Sequence, residues 1–257
     1  MSTSARAAGS GLAFLAACAV IGGGGVAFAA PSQASGPHSK PASHGHPASH
    51  KPVDHLAGQR AGAGHALAAD TARVTRIASA ETASSVLSVV NKAALATASS
   101  ADLAALSTDK GTVASATTAA QIRAAILAGA RTARGAQLQL QLLTSADQAQ
   151  LSVATLTSSA AALAAQAQTL QDNGTDTSTV TTPLADLATA LAQADADIQT
   201  ATATALAVPA SPTDAQLHTA TVTARQQLAA AATALDVATQ DLSTATDALT
   251  ALQTPTA

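Results

Sequence analysis

Aromatic side chains and sulfur are nearly missing from this chain of 257 residues. It contains no tryptophan or tyrosine, one cysteine, one methionine, and two phenylalanines at positions 14 and 28. A single cysteine excludes a disulfide framework, and without aromatic platforms for stacking bases we expect no nucleic-acid partner. Tryptophan and tyrosine are also the usual anchors of tight protein interfaces. Any partner must therefore be bound by aliphatic side chains, hydroxyls, charges or histidines.

The first thirty residues have the order of features that is typical of a secretory signal peptide. Arg6 lies in a short polar start, an apolar run covers 12–21, and glycines fill 22–25. The sequence Ala-Phe-Ala at 27–29 then predicts a cleavage that leaves Ala30 as the mature N-terminus. A membrane anchor is the alternative, but the apolar run is shorter than the roughly 20 residues that a span needs. We expect a protein that is secreted or associated with the cell envelope.

A second interpretation of the same segment is a lipoprotein signal. Residues 15–18, with the sequence Leu-Ala-Ala-Cys, resemble a bacterial lipobox, in which the cysteine becomes the lipidated first residue. The residues that follow Cys18 remain apolar, whereas a lipoprotein normally turns polar at that point. We therefore expect ordinary cleavage of a signal peptide over 1–29 and keep lipidation of Cys18 as the alternative.

Residues 30–64 form a segment rich in proline, serine, glycine and histidine. It has too few large apolar side chains to build a core, which predicts disorder. Its prolines favour extended conformations. We interpret it as a spacer that carries the folded part of the chain away from a wall or membrane.

The histidines of this spacer suggest a metal site. A short tandem repeat places His44, His46 and His50 within seven positions of one another. Histidine is the commonest ligand for ions such as zinc, copper and nickel, and a flexible chain lets three imidazoles reach one ion. A closed structural zinc site is not expected, because Asp54 is the only carboxylate nearby and no cysteine is left after cleavage. The alternative is a hydrophilic spacer whose histidines bind nothing.

From 65 to 257 the apolar residues recur in steps of three and four, which is the pattern of packed helices. The pattern is clearest near the C-terminus, and weaker versions of it cover 122–143, 149–170 and 180–205. Short turns between these segments favour antiparallel neighbours. The sequence therefore predicts an all-α domain: an elongated antiparallel bundle of four to five helices with coiled-coil-like Ala/Leu seams, after a disordered N-terminal spacer.

Capping residues predict where some of these helices begin and end. Ser211 and Pro212 predict the start of a last helix that runs to Gln253. Residues 144–145, Thr-Ser, predict another helix start, and Asn-Gly at 173–174 predicts the end of the same helix.

The N-terminal part of the domain is less regular. We expect a first helix over 66–98 and then a short helix followed by a loop at Gly111. Gly129 and Gly135 weaken the pattern that follows, since glycine is a poor helix former. Residues 138–142 alternate like a strand, but a lone strand among helices has no partner, and we interpret them as helical.

Sequence signatures of catalysis are missing. The chain has no G-x-S-x-G elbow, no H-E-x-x-H, no phosphate-binding glycine loop and no dinucleotide fingerprint. His218 stands alone near the start of the last helix, where we expect it to face solvent. Asp195 and Asp197 lie about 200° apart on a helix, too far for a carboxylate pair. We expect neither a catalytic nor a cofactor-binding site, and therefore no enzyme.

Charge is unevenly distributed along the chain. Residues 31–143 contain ten basic and five acidic side chains, whereas 144–257 contain ten acidic side chains and one basic side chain, Arg225. A protein with a basic N-terminal half and an acidic C-terminal half can pair with itself, or can place its basic half on an anionic surface. The alternative is that these charged side chains only form the solvent-exposed faces of the helices and bind no partner.

These observations favour a structural or interaction module of the cell envelope. We expect it to associate with itself or with a helical protein partner through its seams, or to contact a cell-wall or membrane surface. Arg123, Arg131 and Arg134 lie on one helix and could bind an anion such as a lipid head group. The alternative function is an extracytoplasmic metal-binding protein that uses the His-rich spacer.

Overall fold

The computed structural model describes residues 55–254, and five α-helices contain most of them. The helices are α1 (His55–Ala83), α2 (Val89–Ser115), α3 (Ala119–Asp172), α4 (Ser178–Leu206) and α5 (Asp214–Gln253). The described residues include no strand, which confirms the prediction of an all-α bundle of four to five helices. In the same stretch of chain, no helix has both the length and the hydropathy to cross a bilayer.

The first helix begins earlier than the sequence predicts. α1 starts at His55, so the predicted boundary between spacer and folded domain, at residue 65, falls inside this helix. Its first turns are attached to the core: Ala63 is buried, and Arg60 donates from Nε and Nη2 to the carbonyl oxygen of Ala116, at 3.1 and 2.6 Å. The predictions for 1–54, including the signal peptide, concern residues outside the described part.

Helix α3 is the central element of the fold. Its 54 residues make it about 80 Å long at 1.5 Å per residue. Its N-terminal half, 119–143, packs against α1 and α2, and we call these three segments the first bundle. Its C-terminal half, 144–172, packs against α4 and α5, and we call these the second bundle. The five helices thus form two three-helix bundles that share α3.

The helix start predicted at 144–145 is wrong, because α3 continues through these residues as a single helix. Thr144 does not cap a helix; its hydroxyl donates to the carbonyl oxygen of Leu140, one turn back, at 2.7 Å. A threonine can make this bond anywhere inside a helix, so the residue type alone does not distinguish a cap from an interior position. Residues 138–142 are helical, as predicted.

The helix that the sequence predicts over 66–98 is broken after Ala83 and resumes at Val89. Serine hydroxyls compete for the backbone there. Ser84 Oγ accepts from the N–H of Leu87 at 3.2 Å, and Ser88 caps α2 by accepting from the N–H of Asn91 at 3.2 Å. α2 then continues without interruption to Ser115, so the loop predicted at position 111 is absent from the structure.

Two predicted helix ends are close to the observed ones. α3 ends at the predicted Asn-Gly pair, where Gly174 has a φ of 86°, the left-handed conformation that glycine adopts most easily. α5 begins at Asp214 rather than at Pro212, because Thr213 is the N-cap and forms a capping box with Gln216. It ends at Gln253, as predicted.

The Leu and Ala seams of α4 and α5 are used inside the second bundle. Most of their members are buried against each other and against the C-terminal half of α3. Ala201, Ala205 and Ala224 instead pack with Leu142 and Leu143, at the end of the N-terminal half of α3. The buried positions are Val180, Leu187, Leu191, Ala194, Ile198, Ala201 and Ala205 on α4, and Leu217, Ala220, Ala224, Ala231, Leu235, Ala238, Ala245 and Leu249 on α5. A partner that meets this chain in its folded form must therefore meet other surfaces.

Candidate functional site

The predicted metal ligands His44, His46 and His50 lie outside the described residues, so their site stays a prediction. Within 55–254, no group of three or more His, Cys, Asp or Glu side chains is placed to hold a metal ion. His218 is exposed on α5, as the sequence analysis expected.

Asp195 and Asp197 do not form a carboxylate pair, as their helical spacing predicts. Asp195 accepts from Gln150 Nε2 of α3 at 2.9 Å and from Gln199 Nε2 of its own helix at 2.7 Å. The carboxylate of Asp197 accepts from Gln193 Nε2 at 3.1 Å. Both side chains therefore bind amides that neighbour them on α3 or α4.

Of the three arginines predicted to bind an anion, Arg131 and Arg134 lie near the first turn of α5, whereas Arg123 is exposed and donates from Nε to the carbonyl oxygen of Ala119 at 3.4 Å. Arg131 donates to Asp214 Oδ2 from Nε at 2.9 Å and from Nη2 at 2.6 Å. This hydrogen bond lowers the pKa of the Asp214 carboxyl. Arg134 Nη2 lies 3.9 Å from Asp214 Oδ1, and the Arg134 side chain keeps 56% of its surface exposed. Arg131 is therefore occupied within the chain, whereas Arg134 remains accessible to a partner.

Arg134 belongs to a polar surface that extends over three helices. It lines a groove of about 400 Å³ between α3 and α5, together with His218 and Arg225 of α5. A second groove, of about 440 Å³, lies between α1 and α3 and is lined by Arg73 and Arg76 of α1. Both grooves share two amide side chains of α3, Gln137 and Gln141. We call the residues of these two grooves the arginine face.

The arginine face contains few acidic side chains that could neutralise it. Asp214 lines one of its grooves and is bound by Arg131. Asp70 lies close enough to Arg73 and Arg134 for their charges to lower its pKa, but desolvation by burial outweighs them and raises it. Guanidinium groups bind carboxylates and phosphates well because their donors match two oxygens at once. The arrangement can therefore bind an anionic partner.

The position of α5 beside this face depends on contacts between α3 and the α4–α5 connection. Thr132 Oγ1 donates to the carbonyl oxygen of Ala210 at 2.8 Å, and Gln139 Nε2 donates to that of Val208 at 3.1 Å. Thr132 and Gln139 are both buried. Neither residue is predicted from the sequence, because a polar residue inside an apolar pattern does not indicate which carbonyl group it hydrogen-bonds.

A buried acidic cluster in the first bundle was also missed. Glu81 of α1 and Asp102 of α2 are 3% and 4% exposed, and Ser99 Oγ lies 3.1 Å from both carboxylate oxygens of Glu81. Burial, with a smaller contribution from the charge of Glu81, raises the pKa of Asp102 to about 7. Among the described residues, Asp102 Oδ2 has no hydrogen-bond partner. This cluster can hold a proton near neutral pH.

Comparisons with known protein families, with curated proteins and with solved structures find no match for this chain.

Proposed function

We propose that this chain is an exported, non-enzymatic interaction module of the cell envelope. The order of features in 1–29 supports export. The observation that carries the proposal is the arginine face, which belongs mainly to the first bundle, while the second bundle is rich in aspartate. A chain whose two bundles carry different charge is suited to connecting partners.

Cell fractionation tests this proposal. We expect the expressed chain in the envelope or the medium, with Ala30 as its first residue by mass spectrometry, and a variant that lacks 2–29 in the cytoplasm. Cys18→Ser is the matched control, because it blocks lipidation and leaves the ordinary cleavage site intact. A cytoplasmic chain with 1–29 still attached would contradict the proposal.

Metal binding by the spacer is the second candidate function, and the repeat that contains His44, His46 and His50 favours it. Calorimetric titration of the chain from Ala30 with zinc, copper and nickel tests it. Binding with a defined stoichiometry should disappear when all three histidines become alanine. The control is a variant with His65 and His218 changed to alanine, which should bind as before.

A further inference from the structure

Within residues 55–254, the surfaces that remain free for association are mainly polar. The seams of α4 and α5 are buried within the chain. The large exposed hydrophobic residues are scattered over three helices rather than gathered in one patch: Val89, Val90, Leu127, Leu151, Val222 and Val237. An interface on the folded chain must therefore rely mainly on charge.

Charge is sorted between the two bundles. Residues 55–143 contain eight basic side chains and four acidic ones, and two of the acidic ones, Glu81 and Asp102, are buried. Residues 144–254 contain ten aspartates and one basic residue, Arg225. Each bundle therefore presents the charge that the other bundle would attract.

The spacing of exposed charges is the same on the two bundles. Arg123 and Arg134 of α3 are eleven residues apart, and so are Asp236 and Asp247 of α5. Eleven residues are close to three helical turns, so each pair points in one direction, with about 16 Å between its members. All four side chains are exposed. The two pairs can therefore meet each other across an interface between two helices.

We infer that the arginine face of one copy, extended along α3 to Arg123, docks on the Asp236 and Asp247 side of α5 in a second copy. This inference rests on the proposed function and names its partner. The two surfaces differ, so a single contact leaves one free surface on each copy. These free surfaces either close with each other or bind further copies, and both outcomes raise the mass of the assembly.

Sedimentation velocity of the chain from Ala30 tests the inference. At low ionic strength, about 0.01 M, the screening length is about 30 Å, and we expect a mass that rises with protein concentration. At about 1 M salt the screening length is about 3 Å, and we expect a monomer. A monomer at both ionic strengths would overturn the inference.

Charge-reversal variants test whether the arginine face and the Asp236 and Asp247 side of α5 are the two surfaces that meet. The first variant carries Arg123→Glu with Arg134→Glu, and the second carries Asp236→Arg with Asp247→Arg. Each variant alone should be monomeric at low salt, because like charges now meet, with a dissociation constant raised by at least about tenfold. A mixture of the two variants should associate again. A mixture that stays monomeric would overturn the assignment of these faces.

A control on α2 distinguishes an effect of the proposed surface from an effect of the net charge of the chain. Lys92→Glu with Lys110→Glu changes the net charge as much as the first variant does, and should leave association intact. Loss of association in this control would overturn the inference. Binding of polyphosphate by a chain that stays monomeric would also overturn it, in favour of an anionic polymer as partner. A monomer that is still retained in the envelope would contradict this inference alone and leave the proposed function standing.

Discussion

At the scale of single residues, burial disfavours the ionised form of the Asp102 carboxyl group. A carboxyl group that leaves water without a hydrogen-bond partner for one oxygen favours its neutral form. Asp102 is in that situation, and the nearby charge of Glu81 acts in the same direction. The first bundle therefore contains a group that is protonated in the folded chain at pH values where it is ionised in the unfolded chain.

This difference predicts how stability depends on pH. The pKa of Asp102 is about 7 in the folded chain, against an ordinary value of 3.8. The contribution of Asp102 to the free energy of unfolding is therefore fully present below about pH 4 and is lost as the pH rises to about 7. Asp102→Asn should remove this loss, which we expect to be about 2–4 kcal/mol. Urea unfolding of both proteins from pH 4 to pH 8 measures it. Parallel pH profiles would contradict the prediction.

Two glycines of α3 make a second prediction at this scale. A Cβ at position 129 would collide with Leu67, whereas a Cβ at position 135 would make ordinary contacts, the nearest at 3.4 Å with Pro212. Gly129→Ala should therefore lower the free energy of unfolding by about 1–2 kcal/mol. Gly135→Ala should leave it unchanged or raise it by up to about 1 kcal/mol, because alanine favours the helix. Equal effects in thermal unfolding would contradict this.

At the scale of elements, the continuity of α3 distinguishes the structure from the sequence-based interpretation. A helix start at 144–145 and an unbroken helix predict opposite responses to proline at position 145. Proline is favoured in the first turn of a helix but removes a hydrogen bond and clashes in its interior. Ser145 is exposed, so its side chain contributes little to packing.

We therefore expect Ser145→Pro to lower the free energy of unfolding by about 3 kcal/mol or more. Ser145→Ala is the control and should be neutral or slightly stabilising. Chemical denaturation followed by circular dichroism measures both variants. A proline variant as stable as the wild type would mean that α3 is two helices.

At the scale of the whole described region, buried hydrogen bonds from α3 hold the α4–α5 connection. Gln139 satisfies the carbonyl group of Val208 in a buried position. A buried carbonyl group that loses its donor costs about 1–3 kcal/mol. The packing of the α4–α5 connection against the N-terminal half of α3 therefore depends on buried polar residues.

Gln139→Leu keeps the approximate volume of the side chain and removes its donor. We expect a loss of about 1–3 kcal/mol in stability and faster hydrogen exchange in residues 207–213 than in α1. Gln137→Leu, on the exposed side of the same helix, is the matched control and should leave both unchanged. Uniformly faster exchange throughout the chain would contradict a local role for Gln139.

The sequence by itself determined the helical class, the C-terminal helix and the cap at Asn173 and Gly174, because periodicity and capping are local properties. Only the tertiary structure decided that α3 is continuous, that α1 ends at Ala83, and that Glu81 and Asp102 are buried together. These three features depend on contacts between side chains and backbone groups of different helices. Serine and threonine hydroxyls can hydrogen-bond to the backbone both at caps and inside helices, so packing between distant segments selects among the local choices.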